Sequence, residues 1–71
     1  MPELYAKITA EALAAVTKDS EIVMSQKSGY WDLIVDGKLV LEGERHHICC
    51  NVCDILRKRK NDLIIKERDN G

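Results

Sequence analysis

A chain of 71 residues, 45% apolar, with 11 Lys and Arg against 12 Asp and Glu, has room for one small domain and excludes a multidomain enzyme. Its formal net charge of −1 excludes the strongly basic footprint of a dedicated nucleic-acid binder. A domain this short buries only about 60% of the surface its unfolded chain exposes, so a metal, a disulfide framework or a second subunit is a common supplement.

The three cysteines, Cys49, Cys50 and Cys53, cannot staple a long loop, and an odd, clustered set points to a reducing compartment. Met1 to Lys7 contain no basic segment leading into an apolar one. No run approaches the roughly 18 apolar residues that span a bilayer. The expected location is the cytoplasm, or that of a host cell. Charge is divided unevenly: residues 1–43 carry four lysines against seven acids, and residues 44–71 carry seven Lys and Arg against five.

In chain order, residues 3–18 read as an amphipathic helix. Leu4, Ile8, Ala12 and Val16 recur every four residues, with Tyr5 and Ala15 beside them, and Pro2 suits the first turn. Residues 21–26 read as a first strand, and Lys27-Ser28-Gly29 as a turn. Asp36-Gly37 between two β-rich runs signals a hairpin.

Strict alternation favours a three-residue loop, Val35-Asp36-Gly37, with Ile34 opposite Lys38. One face of the hairpin then collects Trp31, Leu33, Leu39 and Leu41, expected under the helices. The other collects Tyr30, Asp32, Ile34, Lys38, Val40 and Glu42. A second helix is expected over about residues 44–60, with Ile48, Val52, Ile55 and Leu56 as its stripe and Cys49 at its edge. Arg57, Lys58, Arg59 and Lys60 would close it, where cations favour the negative end of the dipole. Leu63-Ile64-Ile65 is expected as a short fourth edge strand, with residues 1–2 and 67–71 frayed. The fold class is α+β in the order αβββα, a single domain over 1–71 with both helices on one sheet face.

The chemistry-bearing residues cluster in the second helix. His46, Cys50 and Cys53 lie on one side at helical spacing and are ligand types suited to zinc. A structural zinc site wants a second separated pair, and the chain has none, so Cys49 and Cys53 read as small hydrophobes beside the core. Cys50 and Cys53 have redox spacing but sit mid-helix rather than at the N-terminus that lowers a thiol pKa. No nucleophile, base and orienting group fall together, so no catalytic residue, metal or cofactor is assigned.

The element order, with Val35-Asp36-Gly37-Lys38-Leu39-Val40-Leu41-Glu42-Gly43 before the last helix, resembles double-stranded-RNA-binding domains. That resemblance implies phosphate contacts from the start of the second helix, here Glu44 to Cys50 with Arg45 as its one fixed positive charge. Arg45, Arg57, Lys58, Arg59 and Lys60 are the residues a nucleic-acid reading would use. The same element order is similar to that of small phage-encoded inhibitors, including some anti-CRISPR proteins. The expectation is a non-enzymatic inhibitor or adaptor that binds a partner protein, with homodimerisation as one source of stability. Its contact residues would be Tyr30, Asp32, Ile34, Lys38, Val40 and Glu42.

Overall fold

The computed structural model describes residues 3–70. Its order is α1 (Glu3–Ala15), β1 (Ile22–Lys27), β2 (Tyr30–Val35), β3 (Lys38–Glu44) and α2 (His46–Asn70), the expected αβββα arrangement. The expectations for Met1, Pro2 and Gly71 lie outside the described residues, as does the Leu4 side chain.

Helix α1 ends at Ala15, three residues earlier than its periodicity suggests. The Val16 amide still reaches the Ala12 carbonyl at 3.0 Å, but the next amide, Thr17, is taken at 2.8 Å by the Ser20 hydroxyl. A side chain that offers the backbone an alternative acceptor in this way ends a helix.

The strands form one antiparallel sheet in the order β1-β2-β3, joined by two tight turns. Ser28 and Gly29 have φ of 50° and 84°, and Asp36 and Gly37 have 52° and 78°. These positive pairs mark the two-residue turn whose twist matches the strands. Val35 is therefore paired with Lys38, and the expected three-residue loop does not form. The alternation breaks inside β3 instead. Ile34 pairs with Leu39 and Leu33 with Leu41, leaving Val40 as an extra residue, and a second shift falls between Leu33 and Trp31, which pairs with Glu44. Each bulge turns the following side chains to the opposite face. The shorter turn already places Leu39 outward, 52% exposed, and Val40 against the core, and the first bulge keeps Leu41 on the core side as well.

The core lies between one sheet face and the helices. Ala12 from α1 and Val16 just beyond its end meet Leu33, Val35 and Leu41 from the sheet and Cys49, Val52, Cys53 and Leu56 from α2. Leu33, Cys49, Val52 and Leu56 have no exposed surface. Trp31, expected beneath both helices, is half-buried at the margin, its ring 5.0 Å from that of His46 and tilted by 58°. On α2 the stripe is rotated from expectation: Cys49 and Cys53 occupy its centre, and Ile55 is exposed.

Helix α2 runs to Asn70, so Leu63-Ile64-Ile65 is helical rather than an edge strand, and residues 67–70 continue the helix. Leu63 lies seven residues after Leu56 and packs against the same core, so the burial period carries through the basic run. Twenty-five residues at 1.5 Å each make a rod of about 37 Å. It accounts for most of the molecule's 44 Å long axis. Near its end, Glu67 accepts from Lys18 at 2.6 Å.

Candidate partner-binding face

Both helices pack on the Leu33 side of the sheet, and among the described residues no element covers the other. Cross-strand pairs place the open face residue by residue. Val23 pairs with Ile34 and Ile34 with Leu39, giving an apolar row across all three strands; Ser25 pairs with Asp32 and Lys27 with Tyr30. Val23, Tyr30 and Leu39 are exposed, and Ile34 is half-buried.

Beside this row is an open depression of about 370 Å³ lined by Lys27, Tyr30, Asp32, Ile34, Leu39, Glu42 and Gly43. Asp32 is only 5% exposed. Its position follows from the second bulge. Gly43 has a positive φ of 65°, a conformation glycine adopts without penalty, and its amide donates to Asp32 Oδ1 at 2.9 Å. Lys27 Nζ is 3.5 Å from the other oxygen, Oδ2.

Of the six contact residues expected from sequence, Tyr30, Asp32, Ile34 and Glu42 come together here. Two do not. Val40 is put on the helix side by the two-residue turn, and Lys38, opposite buried Val35, belongs to that side at the turn end of the sheet. The sequence pattern does not single out Val23, Lys27 or Gly43, and it puts Leu39 under the helices, where the pairing with Ile34 brings it to the open face instead. The alternation Val23, Ser25, Lys27 in β1 carried a signal for two of them, and a glycine inside a strand pattern signals a bulge.

The second turn is held by more than its backbone. Asp36 accepts from the Glu21 amide at 2.9 Å and from the Ser20 hydroxyl at 2.9 Å, and these bonds hold its carboxyl below its ordinary pKa. At the other end of the sheet, the Tyr5 hydroxyl donates to the Glu44 carboxylate at 2.8 Å, which raises its own pKa.

The cysteine cluster divides by burial. Cys49 and Cys53 are buried and Cys50 is half-buried. Burial pushes the Cys49 thiol up to about 11 and raises that of Cys53 as well. Cys50 Sγ lies 3.3 Å from His46 Nε2, while Cys53 faces the core, so the three do not converge. Among the described residues no group of three or more His, Cys, Asp or Glu side chains is placed to hold a metal ion.

The basic residues do not form a row. Arg45, Arg57, Lys58 and Arg59 are exposed and Lys60 is half-buried. The last four sit mid-helix, ten residues short of its end, rather than at the C-terminal dipole. Successive helical side chains are turned by about 100°, so four consecutive charges point in four directions. No described helix is long and apolar enough to cross a membrane. No family model matches this chain, and no significant match links it to a curated protein or a solved structure.

Proposed function

We propose that this protein is a non-enzymatic binding module, an inhibitor or adaptor, that holds a partner protein on the helix-free face of its sheet. The observation that carries this reading is the row Val23, Ile34 and Leu39, with Tyr30 exposed farther along the same face. Single exposed apolar residues are ordinary on any surface. A row paired across every strand is different, because neighbouring strands lie about 4.8 Å apart and the side chains form one surface. Charged Lys27 and Glu42 border it, giving the apolar centre and polar rim of a modest interface.

The test is the double substitution Val23→Lys with Leu39→Lys. Both side chains are exposed, so the melt should stay within a few degrees of the parent, while capture of the partner falls at least tenfold. Undiminished capture by the folded variant would overturn the reading.

A further inference from the structure

The depression at Asp32 has a more specific chemistry than the apolar row beside it. It is lined by the carboxylates of Asp32 and Glu42, the Tyr30 ring, the aliphatic Ile34 and Leu39, and one cation, Lys27. An ionised carboxylate offers about four acceptor sites on its two oxygens. Asp32 uses one on the Gly43 amide. Among the described residues the Oδ2 atom has Lys27 Nζ alone, at 3.5 Å, on a side chain that is 77% exposed. A long contact to a solvated lysine is a weak pair, so a carboxylate 5% exposed faces the depression under-matched.

We propose that this depression is a binding site for an arginine side chain presented by the partner protein. The proposal rests on the reading of the face given above and names the chemistry of one contact within it. A guanidinium is planar, weakly hydrated and carries five donors in a fixed fork, which suits paired acceptors such as Asp32 Oδ2 and Glu42. Its flat face lies against an aromatic ring with a favourable cation–π term, and Tyr30, 57% exposed, lines the depression. Ile34 and Leu39 accommodate the aliphatic stem. A hard divalent ion is a poorer fit, since it wants six or more oxygen ligands or a shell of waters, whereas the lining here is partly apolar.

The bland role for Asp32 is to satisfy the Gly43 amide in the bulge and nothing more. Asp32→Asn separates the two roles, because the amide oxygen still accepts that bond while the charge is gone. The probe is N-acetyl-arginine methylamide, titrated into isotopically labelled protein, with its neutral citrulline counterpart as control. The expected result is saturable low-millimolar shifts at the Tyr30, Glu42 and Gly43 amides, at least tenfold weaker with citrulline and with Asp32→Asn. Glu42→Gln, on an exposed side chain, weakens the same titration several-fold and serves if Asp32→Asn does not fold. Equal affinity for citrulline, or retention of binding in both variants, overturns the proposal. A wild-type protein that ignores the arginine probe, yet loses its partner through Val23→Lys with Leu39→Lys, has the interface without the arginine pocket.

Discussion

Asp36 joins three parts of the chain through one carboxylate. It occupies the turn between β2 and β3 and accepts from Ser20 and Glu21, while its own amide donates to the Glu21 carbonyl at 2.9 Å. Ser20, 1% exposed, passes the linkage on to the end of α1. Because the folded carboxyl is held below its ordinary value of 3.8, the unfolded chain takes up its proton first as pH falls. The stabilisation is therefore complete above the ordinary carboxylate range and is lost as pH drops through the lower folded value. Asp36→Asn should lower stability at neutral pH and flatten the acid limb of a stability–pH curve; an unchanged acid limb would remove Asp36 from the account. A second residue-scale outcome concerns the thiols. Raised pKa and burial keep Cys49 and Cys53 out of reach, since the thiolate is the reactive form. Alkylation of the native protein at about pH 8 should modify Cys50 alone, and all three only in denaturant. Mass mapping of the adducts checks it.

At the scale of elements, β3 decides which side chains lie on the open face. The two-residue turn before it sends Leu39 outward and Val40 inward, and its two irregularities keep Leu41 on the core side and place Gly43 where φ is positive. A Cβ at Gly43 would meet nothing within 4 Å, so Gly43→Ala isolates the backbone cost. Left-handed geometry costs a non-glycine residue about 1–2 kcal/mol, and thermal or urea unfolding should show a loss of that size. A variant as stable as the parent would mean that the bulge is absent in solution. The order of elements was legible because each has its own signal: the four-residue spacing of Ile8, Ala12 and Val16, the Asp-Gly turn, and the stripe ending in Leu56. The register was not. Strict alternation chose the longer loop because it assumed an uninterrupted β3, and bulges leave little trace beyond a glycine such as Gly43. The length of α2 was misread for a related reason. The basic run Arg57 to Lys60 looked like a helix end, but the spacing from Leu56 to Leu63 overrides it. Only tertiary burial distinguishes these cases.

For the molecule as a whole, the arrangement is a long helix backing a small sheet, with one sheet face committed to the core and the other left open. Four of the six contact residues expected from the sequence remain together on that open face after the register is corrected, and Leu39 takes the place of Val40. The basic residues, by contrast, are distributed around α2, which gives a duplex no single stripe to follow. Under the proposed function the partner sits on the open face. The most direct measurement is site-specific photo-crosslinking in the native cell, with a benzoyl-phenylalanine placed at Tyr30 in one variant and at Lys58, on the exposed side of α2, in another. The account predicts a discrete heavier adduct from position 30 and none from position 58. An adduct from position 58 alone would contradict it and move the interface to the helix.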